Sequence, residues 1–246
     1  MKKDKKVVLT YYFTGMMDKW HHLKYKVCDN RDFDTLFNSV KGRGYDFITL
    51  SNELTPDREG WRAVKLEGEL AKPEGMSLYV HKFIACYLWL LQHPEYEEIW
   101  IVDSADTEML GDPKPKDGII YTGYDAYKLE FDRWVNFIWF LGGEKEGLWI
   151  KPHFGVGKRH GDAECQYLRD AHPEDIPYNC GVFGGKREIV MEFLEKYVDR
   201  LKQNDIDLEM VPFNFLAYTI YDGRVESCTT RMTMLEKDYN KWWRHK

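Results

Sequence analysis

"EEIWIVDSADTEML" (Glu97–Leu110) opens as an apolar run and ends on two acids, Asp103 and Asp106. The run up to Asp103 is short and rich in Ile, Trp and Val, which suits a buried strand. A buried strand that delivers carboxylates where it stops carries an electrostatic cost, because like charges held close repel and raise one another's pKa. A metal cation, a proton or a basic partner offsets such a cost. No basic residue flanks the pair in sequence.

Outward from this stretch the chain alternates strand-like and helix-like segments. Met76 to Gln92, "MSLYVHKFIACYLWLLQ", is long and apolar enough for a buried helix, with Pro94 just past its end. "VVLTYYFTG" (Val7–Gly15) predicts a buried first strand, and "YDFITLSNEL" a second. "DFDTLFNSV" between them predicts a short helix ended by "KGRG". Beyond Asp106, "GIIYT" (Gly118–Thr122) predicts a fourth strand and "DAYKLEFDRWVNFIWFL" a helix. Gly142 to Pro177 reads as a long polar loop region with short elements. "YNCGVFGG" then leads into an amphipathic helix, "KREIVMEFLEKYVDRLKQ", and "LEMVPFNFLAYTIY" is a helix or a strand with Pro212 in its first turn or interrupting it.

Strands alternating with helices imply an α/β layer fold with a largely parallel sheet. The 246 residues, 43% hydrophobic and 15% aromatic, suffice for one large domain, and no repeat or linker divides them. In such sheets ligands sit at the carboxyl ends of the strands. Thr14 and Gly15, Ser51 and Asn52, and Asp103 and Asp106 all fall at those ends.

Charge and cysteine usage narrow the function classes. A net charge of −6 argues against general affinity for nucleic acid. The apolar run after "MKKDKK" is too short for a signal-peptide core or a membrane span. Five scattered cysteines without a Cys-x-x-Cys pair suggest neither a zinc knuckle nor a disulfide framework, and reduced thiols in the cytoplasm are the plainer expectation.

Three constellations carry chemistry. Asp103 and Asp106 can face one cleft across a turn and hold Mg²⁺ or Mn²⁺, whereas the bland alternative is an N-cap and a set of backbone hydrogen bonds. In "YNCGVFGG", Gly181, Gly184 and Gly185 allow close backbone approach and Asn179 suits sugar hydroxyls; packing glycines are an even alternative. In "DLEMVPFNF", Asp207 and Glu209 stand at a helix start, where a carboxylate serves as general base or simply as a cap. Lys82 reaches a phosphate or snorkels to solvent.

The order of these pieces, over roughly Val7 to Tyr221, resembles sugar-nucleotide-dependent glycosyltransferases of the GT-A fold. That family has a basic helix before a strand ending in Asp-x-Asp or Asp-x-x-Asp. An Asn-x-Gly-hydrophobic-x-Gly-Gly segment follows, and then an acid five residues before a Phe-Asn. Glu209 stands five before Asn214 and is preferred to Asp207 on that account. The resemblance implies a GT-A-type, Rossmann-like α/β sandwich, its mostly parallel mixed sheet flanked by helices. Residues 1–246 would form a single domain, with a nucleotide-binding part over about 1–110 and an acceptor and catalytic part over about 111–246.

It further implies Mn²⁺ or Mg²⁺ on Asp103 and Asp106, or one of the two acids on the ribose instead. The donor would be a nucleoside-diphosphate sugar, a UDP-sugar first, and the acceptor a glycan or glycoconjugate. Thr10, Tyr11, Thr14 and Gly15 would line the base and Lys82 would serve the donor. Asn179 and the three glycines would face the donor sugar, and Glu209 the reacting centre. The Asp-Ser-Ala-Asp motif departs from the commoner Asp-x-Asp. Family members often add a late histidine ligand, for which His153, His160 and His245 are candidates without a distinguishing sequence context. Trp20, His21 and His22 suggest an acceptor subsite or ordinary packing. The rivals are a catalytically silent sugar- or nucleotide-binding module and a haloacid dehalogenase-like phosphohydrolase; "DSADT" is one residue too long for the latter's motif.

Overall fold

The structure, a computed structural model, describes residues 5–15, 17–18, 23–24, 30–53, 58–71, 76–124, 162–203, 209–229 and 241–245. Its centre is a seven-stranded sheet. The strands are β1 (Lys5–Tyr12), β4 (Asp46–Ser51), β5 (Trp61–Lys65), β6 (Tyr96–Val102), β8 (Ile120–Tyr124), β9 (Tyr178–Lys186) and β10 (Val225–Ser227), in spatial order β10-β8-β9-β6-β1-β4-β5. Two small ribbons stand apart: β2 (Met17–Asp18) with β3 (Leu23–Lys24), and β7 (Thr107–Met109) with β11 (Trp243–His245). The helices are α1 (Asp34–Val40), α2 (Leu78–Leu91), α3 (Asp162–Ala171), α4 (Arg187–Gln203) and α5 (Met210–Tyr218).

Pairing is parallel for β1 with β4 and β6, for β4 with β5 and for β10 with β8. Among the described strands of this sheet, β9 alone runs against its neighbours, antiparallel to both β6 and β8. This is the mostly parallel α/β sandwich the alternation predicts. The central strands read as unbroken apolar runs because both sheet faces are covered. One face packs on α2, α4 and α5 through Phe83, Phe183, Phe193, Tyr197 and Phe213. The other carries Phe33, Phe37, Trp61, Trp100 and Trp243.

Local chemistry explains the element ends. Ser77 caps α2 by accepting from the Val80 amide at 3.3 Å. At its far end, Arg187 donates to the carbonyls of Leu90, His93 and Tyr96, satisfying the last turn of α2 and tying it to the start of α4. Pro212 sits in the first turn of α5, where a missing N–H is tolerated.

The sequence reading differs from the fold in several places, the short strands β7, β10 and β11 among them. "YNCGVFGG" does lead into the helix α4, but is itself most of a buried strand, β9, which the reading does not name. Trp61–Lys65 forms an edge strand that the reading omits. Asp162–Ala171, in the region read as loop, is a helix. The helix read over residues 125–141 lies outside the described residues. No described helix is long and apolar enough to cross a membrane. Cys86, Cys180 and Cys228 are buried thiols rather than disulfide halves.

Candidate active site

The strand order places β4 on one side of β1 and β6 on the other, so the crevice at their carboxyl ends is the topological switch point. The polar strand ends do converge there. Thr14 donates through its amide (2.9 Å) and its hydroxyl (3.2 Å) to Asn52 Oδ1, and Asn52 Nδ2 returns a bond to the Thr14 carbonyl at 3.0 Å. These bonds join the exits of β1 and β4. Gly15 follows at φ +83°, a left-handed turn that glycine adopts without strain.

Asp103 leaves β6 with its amide bonded to the Gly181 carbonyl of β9 at 2.8 Å. Its Oδ1 accepts from Lys82 Nζ at 2.7 Å, and its Oδ2 stands 3.3 Å from His245 Nε2. His245 Nε2 is also 3.6 Å from Asp106 Oδ2. One ligand atom each from Asp103, Asp106 and His245 lies within 4.8 Å of the others.

The histidine arrives from the far end of the chain. The β7 strand starts directly after Asp106 and pairs antiparallel with β11, with His245 opposite Thr107. Trp243 is fully buried against Trp100 (ring centroids 5.5 Å), and Trp242 packs on Trp100 and Tyr121. Aromatic pairs of this kind contribute about 0.5–1.5 kcal/mol each beyond their buried area. An Arg244–Glu108 ion pair adds to the clasp.

The charges are arranged to coexist. Burial works against an ionised Asp103, but Lys82 and His245 outweigh it and hold this carboxyl well below its ordinary range. Burial, with the nearby Asp103 charge, leaves Asp106 raised instead. Burial likewise opposes charge on Lys82 and His245, yet Asp103 (with Asp106 for the histidine) raises both. Two acids and two bases thus form one cluster, and Lys82 provides part of the neutralisation that the sequence leaves open.

Deeper in, Glu209 precedes α5 and its side chain does not cap the helix. The carboxyl is buried, with Oε1 3.9 Å from Cys180 Sγ and Oε2 without a hydrogen bond. Burial raises it to about 7, partly opposed by a backbone hydrogen bond and by Lys82. Asn214 holds α5 against β9: it accepts from the Tyr178 amide (2.7 Å) and donates to the Tyr178 and Met210 carbonyls (2.9 Å each). Tyr197 donates to the Glu209 carbonyl at 2.6 Å.

No protein-family model and no curated protein matches this chain. The site therefore stands on its own chemistry.

Among the remaining candidates, Tyr11 bonds His81 Nδ1 at 2.7 Å, and Thr10 is fully buried in β1. Lys82 goes to Asp103 rather than to solvent. Asn179 Oδ1 accepts from the Gly181 amide, and its carbonyl accepts from Thr122. The glycines of β9 face occupied space: His245 and Asp103 before Gly181, Ile99 and Trp100 before Gly184, and the Ile119 carbonyl before Gly185. Asp207, His153, His160, Trp20, His21 and His22 lie outside the described residues. His245 is the residue that sequence reasoning names without being able to choose. The "KWWRHK" end carries the signal, since two tryptophans beside a histidine mark a segment that buries rather than trails.

Proposed function

We propose that this protein is a glycosyltransferase of the GT-A type, moving a sugar from a nucleoside-diphosphate sugar, a UDP-sugar first, to an acceptor hydroxyl on a glycan or glycoconjugate. The observation that carries the reading is the gathering of Asp103, Asp106 and His245 at the switch-point crevice. Two carboxylate oxygens and one imidazole nitrogen suit Mn²⁺ well and Mg²⁺ acceptably. When bound there, the cation neutralises the donor diphosphate and so eases its departure.

The chain's own groups divide the remaining work. Lys82 holds Asp103 ionised and turned so that Oδ2 faces Asp106 and His245. Thr14 and Asn52 tie the exits of β1 and β4 together at the same end of the sheet at which β6 delivers Asp103, a place suited to the nucleoside. Glu209, buried with a proton affinity near neutrality, is suited to take the proton from the acceptor hydroxyl. A carboxyl of this kind beside the acid cluster supports the enzyme over a silent binding module. Buried thiols are in keeping with a cytoplasmic setting.

The test is thermal unfolding and calorimetric titration with nucleoside diphosphates, with Mn²⁺ and with EDTA, followed by slow hydrolysis of sugar nucleotides. A ligand that binds the native state raises Tm by mass action. Binding should require the metal and weaken in Asp106→Asn with the fold intact. Equal nucleotide affinity in EDTA would overturn the metal-dependent reading.

A further inference from the structure

Of the three glycines in "YNCGVFGG", Gly185 has φ +149°, a conformation that side chains rarely adopt, and a Cβ on Gly184 would lie 2.4 Å from the Ile99 carbonyl oxygen of the neighbouring strand. Both are explained by the backbone. Gly181 is different. Its φ is an ordinary one, so conformation does not demand glycine there. A Cβ placed on it would lie inside van der Waals contact of His245 Cε1 and Nε2 and 2.8 Å from Asp103 Oδ2. The space that a methyl group would take is held by the imidazole.

We propose that Gly181 is a positioning residue: its bare Cα is the notch through which the C-terminal strand brings His245 to Asp103 and Asp106 and completes a three-ligand cation site. The inference rests on the cation reading of that cluster. The clasp that docks the strand is independent of the notch. It consists of the β7–β11 pairing, the Trp243 amide bond to the Cys228 carbonyl at 3.1 Å and the burial of Trp243. A methyl at position 181 therefore expels the imidazole while the strand stays docked. The metal site is then reduced to two carboxylates.

The experiment compares wild type, Gly181→Ala, His245→Ala and the double variant by Mn²⁺ titration, read as loss of the free-ion EPR signal. Imidazole ¹H–¹⁵N spectra of the metal-free proteins accompany it. Loss of support for a ligand typically weakens metal binding about ten- to a hundred-fold. Gly181→Ala and His245→Ala should each weaken Mn²⁺ to that degree, and the double variant no further. In metal-free Gly181→Ala the His245 signals should move to those of a solvated ring, with the amides of β11 still protected from exchange. If Gly181→Ala folds poorly, His245→Ala in the same chain should restore most of the folding, because the two closest clashes are with the ring and only the 2.8 Å approach to Asp103 Oδ2 remains. Wild-type Mn²⁺ affinity in Gly181→Ala, losses that multiply in the double variant, or unmoved His245 signals would overturn the proposal. A wild-type protein that binds no Mn²⁺ would overturn the cation reading instead, while the imidazole spectra still decide the role of Gly181.

Discussion

Replacing Glu209 with glutamine probes the centre of the site without any donor or metal. Burial raises this carboxyl from an ordinary 4.5 to about 7. At about 1.4 kcal/mol per pH unit, its ionised form is disfavoured in the folded chain by roughly 3 kcal/mol. The folded carboxyl holds its proton more tightly than the unfolded one. Its contribution to stability is therefore fully present below the unfolded value of 4.5, declines as pH rises, and is gone above about 7. Wild-type stability should fall by roughly 3 kcal/mol relative to Glu209→Gln across that window, and the two should run parallel outside it. Urea unfolding from about pH 4 to about pH 8 reads this difference directly. Parallel curves throughout would refute the argument, since they would mean a carboxyl already hydrated or already ionised. The catalytic counterpart has the same midpoint: transfer by the wild type should rise through about pH 7 and level off. Glu209→Gln should lose about a hundred- to ten-thousand-fold in kcat with donor Kd little changed. Asp207→Asn serves as the comparison, and a loss there instead would move the base to that acid.

Three further outcomes follow from the same structure. His81 is buried and its pKa is lowered to about 4 by that burial, so its contribution to stability is present above an ordinary 6.5 and lost as pH falls toward 4. His81→Phe should flatten the acid limb of the wild-type stability curve, while costing about 1–3 kcal/mol at neutral pH for the partnerless Tyr11 hydroxyl. Lys82→Met strips Asp103 of its ammonium. With the Asp103 side chain 31% exposed, water shares the charge, so urea unfolding should show a loss below the roughly 3–5 kcal/mol of a fully buried pair. Combining it with Asp103→Asn should recover part of that loss. Asn214→Ala leaves the Tyr178 amide and carbonyl unsatisfied and should cost at least about 2 kcal/mol, with faster hydrogen exchange in α5.

What the sequence reveals depends on how local the cause is. β1, β6 and α2 are legible because each is one continuous apolar run whose burial needs no distant information. β5, β7, β10 and β11 are three to five residues long, too short to show a period, and they exist because a partner strand is already in place. β9 is hidden by its glycines, which signal a turn locally but here answer crowding from Trp100 and His245. The acids of the site are legible for the same reason as β6, since they end it. Their bases are less so: Lys82 lies 21 residues before Asp103, one helix face away, and its partner follows only once α2 is packed on the sheet. His245 is brought in by strand pairing across more than half the chain, which no local pattern encodes.

The reversed direction of β9 also bears on how the chain is made. During synthesis β1, β4, β5 and β6 are made first, and among the described strands the second edge of β6 has no partner until residues 178–186 emerge. The edge left open is Ile99, Trp100, Ile101 and Val102, all fully buried in the finished fold. An unpaired apolar edge of that kind is a template for association with another chain. Fragments ending before β9 should therefore precipitate or be held by chaperones. β8 cannot rescue them, because its place in the sheet is on the far side of the missing strand. The nascent polypeptide thus carries an unpaired apolar strand edge from the completion of β6 at Val102 until β9 begins at Tyr178.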